Sequence, residues 1–395
     1  MFAVVRHRLT LALLLCLALV HGCGGGSQTA SAPGVGSGGT GSYSAGPISG
    51  LGSIIVNGVR YDVDGAALSS EDTAAPGADD LQLGVVVEVE GGAVSRAATG
   101  ADTAVATRVR YVSEFIGPVS GLPGGGARPT SITVLGQPID VNAQTVLPTT
   151  PLANAEEVVV FGLPDATGRV TATRVDRVSS PPLYKLSGRV QSRNDVARTF
   201  TIGQVPQTVS YASGALPAGF AVNAYVRVQV QKTPIAPNEW AAARLGLRDP
   251  LVSDDREGRL EGLVSDYVVS GTTATGRVNG TSVNFSAVRG TSGLVNGARV
   301  EVEGRFNGGT LVASDLEVED DSVQREVELH GFASSVTSTS LALNAYRSAF
   351  NVAYGVGVVD GGLNLVNGAC IEVRGVLLDS GGFQASRIKA DNDCH

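Results

Sequence analysis

A repeated hairpin constrains the fold of this chain more than any other feature of its sequence. Its clearest copy spans residues 294–320 and reads LVNGARVEVEGRFNGGTLVASDLEVED. Apolar and charged residues alternate with period two around Val300 and Val302, which is typical of a strand that is buried on one face. Residues 307–309 (NGG) tolerate positive φ, so a turn and a returning strand are predicted after them.

The hairpin recurs along the chain. Its first strand reads LGVVVEVEG, AEEVVVFG, VNAYVRVQV, NGARVEVEG and NGACIEVRG, in copies that lie about 70 residues apart. A glycine followed by an apolar residue opens an upstream block of short strands, so each unit has about five strands. These glycines are Gly117, Gly188, Gly262 and Gly331. The returning strands each carry an alanine at a matching place, namely Ala106, Ala172, Ala242, Ala313 and Ala385.

The fold class follows from the strand pattern. No stretch after the predicted signal peptide (1–22) places apolar residues at helical spacing over 11 or more residues, so the chain is predicted to be all-β. Five short strands are too few for a useful sandwich, whereas a small closed barrel removes its own edges. We therefore predict a tandem array of about five small OB-like β-barrel domains after a signal peptide and a flexible linker. A continuous solenoid, in which neighbouring units share a sheet, is the alternative.

The predicted domain limits follow the repeat and the polar or proline-rich joints between its copies. The chain is divided into a lipoprotein signal peptide (1–22), a Gly/Ser-rich tether (23–46) and β repeats at 47–112, 113–180, 183–249, 256–321 and 326–395.

The amino-terminal segment indicates export. A positively charged start precedes an apolar run at 9–20, which is too short to span a bilayer, since that needs about 20 residues. The residues around Gly22 and Cys23 resemble a bacterial lipoprotein signal, in which the cysteine thiol takes a diacylglycerol, although His21 departs from that pattern. Residues 24–46 have the composition of a tether. An ordinary secretory signal with an incidental cysteine is the alternative.

Two further features predict the address and the partners. In the enterobacterial sorting rule that this signal resembles, an aspartate after the cysteine retains the protein in the inner membrane. Gly24 stands there, which favours the outer membrane of a Gram-negative cell envelope. Without the signal the chain has 27 basic and 37 acidic residues, a formal charge of −10. Because nucleic-acid binding depends on clustered Lys and Arg, we expect no such partner, but rather the membrane, through the lipid, and an envelope protein or glycan.

The motifs also resemble a known family. The SIIVNGV opening, the G-x-V starts, the GxxVEVEG strand and the LxAxxV return are similar to the tandem bacterial module called domain of unknown function 5666 (DUF5666), found in envelope lipoproteins. The resemblance covers residues 46–391 and implies a fold and an envelope address. It brings no catalytic residue with it, because its motifs are structural. The third unit departs most, with Gln229, Gln231 and Lys232 and an inserted loop at 234–237.

Few residues are candidates for chemistry. After processing, His330 and His395 are the remaining histidines, and we expect His330 at a strand edge on the surface rather than in a catalytic triad or zinc site. Cys370 and Cys394 are predicted to form a disulfide, because an envelope compartment is oxidising. A redox-active pair is the alternative, but its usual CxxC spacing is absent.

Paired carboxylates on one strand face could supply an acid and a base, or calcium ligands. Because the alternating valines must face the core, we expect these glutamates in water, where they solvate the strand and protect its edge. They are Glu88, Glu90, Glu301 and Glu303. Two loops are faintly similar to calcium loops but lack the other EF-hand ligands. They contain Asp62, Asp64 and Gly65, and Asp391 and Asp393. No metal or cofactor is expected.

These observations favour a non-enzymatic, membrane-anchored envelope lipoprotein in which a string of barrels acts as a repeat-domain scaffold or interaction protein. The alternative is a periplasmic or surface module that binds a saccharide or peptide on one sheet face. We rank it second because the scarce aromatic residues are expected in the cores rather than on an exposed platform. An enzyme ranks third.

Overall fold

The computed structural model describes residues 41–97, 101–124, 128–248, 255–289, 292–320, 324–392 and 394. This part of the chain is all-β apart from a short 3₁₀ turn at Ala78–Asp80, so the predicted fold class is confirmed. None of its helical segments has the length and apolar character needed to span a membrane.

Each repeat is a closed barrel with the same strand order. Its first strand pairs antiparallel with the second and the fourth, the second with the third, and the fourth with the fifth. The third strand then pairs in parallel with the fifth and closes the barrel. Closure in the order 1-2-3-5-4-1 leaves no open edge within the barrel, as in OB-like folds.

Barrels 1 and 2 occupy the amino-terminal part of the described chain. In barrel 1 the first strand is broken into β1 and β2, and an extra strand, β5, pairs with the last. The strands of barrel 1 are β1 Ser42–Pro47, β2 Gly50–Leu51, β3 Ile54–Val56, β4 Val59–Asp62, β5 Ala67–Ser70, β6 Val86–Gly91 and β7 Asp102–Tyr111. Those of barrel 2 are β8 Phe115–Ser120, β9 Ser131–Val134, β10 Gln137–Asp140, β11 Glu157–Pro164 and β12 Val170–Arg177.

Barrels 3 to 5 repeat the plain five-stranded form. Barrel 3 contains β13 Tyr184–Asn194, β14 Thr199–Ile202, β15 Gln207–Ser210, β16 Tyr225–Val230 and β17 Glu239–Leu247. Barrel 4 contains β18 Glu257–Ser270, β19 Thr273–Val278, β20 Thr281–Asn284, β21 Arg299–Asn307 and β22 Thr310–Val318. Barrel 5 contains β23 Val327–Ser334, β24 Ser340–Ala345, β25 Ser348–Ala353, β26 Cys370–Leu377 and β27 Phe383–Ala390.

A glycine and an alanine bend the repeated hairpin. In barrel 4 the register shifts between Glu303 and Gly304, and Gly304 lies opposite Ala313. A Cβ atom on Gly304 would approach the carbonyl oxygen of Val312 more closely than real Cβ atoms do, so the bulge requires glycine here. The matching alanines of the sequence therefore mark a bulge that every barrel shares. The equivalent pairs are Gly91 and Ala106, Gly162 and Ala172, Val230 and Ala242, and Gly375 and Ala385.

The glycine that opens each repeat also has a packing role. It lies in the first strand, where this strand passes over the turn between the second and third strands. A Cβ atom on Gly331 would meet the carbonyl oxygen of Asn344, and one on Gly262 would lie 3.0 Å from the backbone nitrogen of Asn279. The close approach lets the first strand reach both sides of its barrel.

The predicted tandem array of small barrels is confirmed, and the barrels pack against one another. Strand β1 pairs in parallel with β18 of barrel 4, and β2 pairs in parallel with β23 of barrel 5. The ring of Tyr43 in β1 packs edge-on against Phe306 of barrel 4, with centroids 5.6 Å apart. Barrel 1 thus joins barrels that are not its sequence neighbours, which also differs from the solenoid alternative.

The hydrophobic cores follow this arrangement. One cluster spans barrels 1 and 5 and includes a few residues of barrels 2 and 4, a second spans barrels 2 and 3, and a third fills barrel 4 together with Tyr43 and Ala45. Because these two residues are buried there, β1 starts at Ser42, inside the tether predicted at 23–46. The rest of that predicted tether up to residue 40 lies outside the described residues.

Candidate functional site

Charged side chains are buried where the barrels meet. Burying an ion costs several kcal/mol, in round numbers, unless a partner of opposite charge and hydrogen bonds compensate. Ionisable residues are therefore rarely buried without a role, and we take those at the junctions as the candidate functional residues. The principal buried ionisable residues are Arg60, Glu114, Lys185, Arg227, Arg259, Glu261, Arg299, His330 and Glu372.

Glu114 joins barrel 2 to barrel 3. Its carboxylate accepts hydrogen bonds from the Tyr225 hydroxyl at 2.9 Å and from Arg227 Nη2 at 3.2 Å, and Arg248 Nη1 lies 3.4 Å away. The Ser187 hydroxyl donates to its carbonyl oxygen at 2.7 Å. Burial alone would raise the pKa of Glu114, but the charges of Arg227 and Arg248 lower this pKa below its usual value. Glu114 is therefore an ionised anchor for barrel 3.

Lys185 joins barrel 3 to barrel 1. Its side chain is 1% exposed, and its Nζ lies 2.6 Å from Asp72 Oδ1 and 3.5 Å from Glu71 Oε2. The other carboxylate oxygen of Asp72 accepts from the backbone N–H of Ser113 at 2.9 Å. A buried, unpaired lysine is a frequent nucleophile or base, but here two carboxylates hold the ammonium in an ion pair. Its position is that of a joint between barrels.

Glu261 lies at the junction of barrels 4, 2 and 5. It accepts from Arg299 Nη2 at 2.6 Å, and Arg325 Nη2 lies 2.9 Å away. Arg299 also donates to the side chain of Gln144 in barrel 2 at 2.5 Å. Burial raises the pKa of Glu261, whereas Arg325 and Arg299 lower it, and the result lies below the usual value. The same arginines therefore satisfy the carboxylate and connect the barrels.

The expectation that the paired glutamates stand in water is wrong. Glu88 pairs with Arg110 at 2.7 Å, and Glu303 lies 3.3 Å from Arg259. Glu90 is buried beside Arg108, and Glu301 is half-buried opposite Glu261. The valines do face the barrel core, but neighbouring barrels cover much of the opposite face. This second layer of packing is not visible in the alternating pattern of one strand.

His330 is also buried, contrary to the predicted surface position. Its side chain is 4% exposed because β23 packs against β2 of barrel 1. Its Nε2 lies 2.7 Å from Glu328 Oε1, and its Nδ1 lies 2.8 Å from Asp391 Oδ2 and 3.4 Å from Arg60 Nη1. Burial raises the pKa of Glu328 and of Asp391, but the hydrogen bond from His330 contributes to a net lowering of both pKa values.

This arrangement leaves His330 little freedom for catalysis or metal binding. The side chains of Glu328, His330 and Glu372 are close enough together to surround an ion. However, Arg374 Nη2 lies 2.6 Å from Glu328, and Lys389 Nζ lies 2.6 Å from Glu372. Two cationic side chains thus already neutralise these carboxylates. Both ring nitrogens of His330 are hydrogen-bonded, so catalysis or metal binding by His330 would require breaking its hydrogen bonds to Glu328 and Asp391.

The cysteines and the aspartate loops complete the predicted sites. Cys370 and Cys394 form a disulfide with Cα atoms 5.8 Å apart, which ties the chain end to β26 beside Asp391. Asp62 Oδ1 accepts from the backbone N–H of Asp64 at 3.0 Å, which is a local turn interaction. The predicted lipid attachment residue Cys23 lies outside the described residues, as do Asp393 and His395.

Sequence reasoning missed the residues at the junctions. Glu114, Lys185 and Glu261 match no catalytic or metal-binding motif, and each has its partners far away in sequence. One sequence feature could have indicated them: each is a charged residue within or beside the first strand of its repeat, where the apolar pattern predicts burial. That signal indicates an interface without naming the partner.

Several solved structures show remote similarity. Drosophila Unr CSD456 is 13% identical, with a TM-score of 0.14, over 53% of this chain and 97% of that chain. A multidomain protein with nucleic acid binding domains from Streptococcus pneumoniae TIGR4 is 11% identical, with a TM-score of 0.13, over 51% and 72%. A deletion mutant of the single-stranded DNA binding protein from Thermus aquaticus is 16% identical, with a TM-score of 0.14, over 52% and 89%. No curated protein matches the chain in sequence.

The family comparison agrees with the repeat. The model of the domain of unknown function DUF5666 matches residues 45–110, 116–176 and 261–317, which lie in barrels 1, 2 and 4. Barrels 3 and 5 share the strand order and the hairpin bulge of these three. The three matches, spread along the chain, support an assembly of tandem DUF5666 domains.

Proposed function

We propose that the chain is a non-enzymatic envelope lipoprotein whose barrels form one rigid interaction scaffold. The observation that carries this proposal is the use of the buried ionisable residues. Glu114, Lys185 and His330 could otherwise serve as acid, base or nucleophile, but each contacts a charged residue of another barrel, namely Arg227, Asp72 and Arg60. Repeated DUF5666 domains with closed barrels fit a non-catalytic scaffold or binding module in the same way.

The position of barrel 1 supports the rigidity of the scaffold. Arg259 of barrel 4 donates to Asp102 of barrel 1 at 2.8 Å, and Asn57 Nδ2 donates back to the Arg259 carbonyl at 2.9 Å. Arg60 of barrel 1 also lies 3.4 Å from His330 of barrel 5, and Lys185 of barrel 3 donates to Asp72 of barrel 1. Buried ion pairs contribute little net stability, but they penalise other arrangements, because a displaced partner leaves a charge buried alone. Surfaces on different barrels would therefore keep fixed spacings.

The proposed anchor is the lipid on Cys23. Residues 24–40, between this cysteine and barrel 1, have the Gly/Ser-rich composition of a linker. Gly24 favours the outer membrane, and the acidic composition favours an envelope protein or glycan over nucleic acid as the partner.

Crosslinking in intact cells, followed by mass spectrometry, tests this proposal. The tagged chain should give a reproducible envelope partner, and the Cys23→Ser variant should lose it because the scaffold is no longer held at the membrane. The crosslinked residues would identify the barrel that carries the interaction surface. An enzymatic activity that depends on one Asp or Glu of the chain would contradict the scaffold, as would the same partner profile with and without the anchor.

A further inference from the structure

A cavity of about 600 Å³ opens where barrels 2, 3 and 4 meet. Its volume lies within the range of about 300–1,000 Å³ that is typical of small-molecule sites. Barrel 2 contributes Asp165, and barrel 4 contributes Asp266 and Arg277. Barrel 3 contributes Arg189, together with Arg248, which directly follows its last strand. The wall is thus assembled from three barrels and depends on their packing.

Positive charge exceeds negative charge in this cavity, in a chain with a formal net charge of −8. Arg189 Nη2 lies 3.3 Å from Asp266 Oδ2, and Arg277 Nε lies 3.7 Å from the same oxygen. One carboxylate therefore serves two guanidinium groups. The other acid, Asp165, is engaged in its own turn, where Oδ1 accepts from the backbone N–H groups of Thr167 at 2.8 Å and Arg169 at 2.9 Å.

Two arginine donors in the cavity wall have no hydrogen-bond acceptor. Arg189 Nε is buried without one, and so is Arg248 Nη1, although the latter lies 3.4 Å from Glu114. The Arg248 side chain is only 5% exposed. A buried donor without an acceptor costs roughly 1–3 kcal/mol, so such groups indicate that something else completes the site. Guanidinium groups bind oxyanions well, because their planar fork matches two oxygens.

We propose that this cavity binds a small saccharide that carries an oxyanion, either a phosphate or a carboxylate. The charged oxygens accept hydrogen bonds from Arg189 and Arg277, and Arg248 contributes its positive charge at the back of the cavity. The remaining wall, with Asn223 and Ser265, offers polar groups that suit sugar hydroxyls. The cavity is also far larger than an isolated phosphate ion requires. This ligand site goes beyond the scaffold role and needs neither the lipid anchor nor a protein partner.

Isothermal titration calorimetry tests the proposal. It uses the full chain with the substitution Cys23→Ser, which removes the predicted acylation site. The probes are glucose 1-phosphate, glucuronate, inorganic phosphate and glucose. We expect one of the two anionic sugars to bind more tightly than either phosphate or glucose. The Arg277→Gln variant should weaken that binding by at least about tenfold, as expected for loss of a charge-assisted hydrogen bond. Arg277 is 49% exposed, so its replacement should leave the fold intact.

Two further variants complete the test. Arg189→Gln should weaken the anionic sugar similarly, whereas Arg244→Gln, an exposed arginine of β17 outside this cavity, should leave the affinity unchanged. The melting temperature of each variant shows whether it is folded. The proposal is overturned if neither anionic sugar binds, if glucose binds as well as they do, if phosphate alone accounts for the affinity, or if Arg277→Gln binds like the parent chain.

Discussion

The row of carboxylates across barrel 4 gives a sharp prediction about stability. In the ladder β18–β21–β22, Glu301 lies directly between Glu261 and Glu317. Burial and the charge of Glu261 together raise the pKa of Glu301 to about 7, although the charge of Arg325 opposes the rise. We therefore expect Glu301→Gln, which keeps the shape of the side chain and removes its charge, to stabilise the protein at alkaline pH.

The direction and the size of this change in unfolding free energy follow from the linkage between proton binding and folding. The pKa of Glu301 is higher in the folded chain than its ordinary 4.5, so the folded state binds the proton more tightly. The stabilisation of the folded state by the proton on Glu301 is fully present below pH 4.5 and is lost as the pH rises through 7. The difference between 4.5 and about 7 corresponds to roughly 3 kcal/mol of unfolding free energy, and solvent screening at this half-buried site reduces it to about 1–3 kcal/mol. The Glu301→Gln variant should therefore gain about 1–3 kcal/mol over the parent at pH 8 and almost nothing at pH 4.5.

Urea unfolding followed by far-UV circular dichroism, at both pH values, measures this gain. Fluorescence of Trp240, the single tryptophan, is unsuitable because it reports on barrel 3. Glu317→Gln is the matched control, since Glu317 belongs to the same row but is exposed, and its effect should be small at both pH values. An equal stability difference between Glu301→Gln and the parent at pH 4.5 and pH 8 would refute the reasoning, as would a parent that is more stable than the variant at pH 8.

Three further predictions concern the fold and its joints. Gly304→Ala should lower the melting temperature strongly, because the bulge has no room for a Cβ atom, whereas Gly246→Ala in open space should not; equal effects would contradict the bulge. His330→Ala should increase hydrogen exchange in β2 and β23 by loosening barrel 5, and unchanged exchange there would rule out a joint. Cys370→Ser should cost about 3 kcal/mol of unfolding free energy, and a chain equally stable with and without reductant would contradict a contribution from the disulfide.

The barrel could be predicted from the sequence because its determinants are local. Alternating valines define the strands, and the alanine of each hairpin, opposite a glycine in four of the five, marks the bulge, all within one repeat. The environment of Glu301 could not be predicted in this way. Its strand has the pattern of a sheet with one face in water, and only the packing of other barrels buries the outer face. His330 was misplaced for the same reason, since two of its neighbours, Arg60 and Asp391, come from distant parts of the chain.

The repeats are similar in sequence, but their contacts are not equivalent, and barrel 1 shows why. Its first strand is broken, so that β1 pairs with barrel 4 while β2 pairs with barrel 5. Glycines make the second contact possible: a Cβ atom on Gly50 would meet the carbonyl oxygen of Glu328, and one on Gly52, at φ 146°, would meet the side chain of His330. The distinct opening of the first repeat is therefore a docking element. A string of identical barrels would lack this element, which joins barrel 1 to barrels 4 and 5.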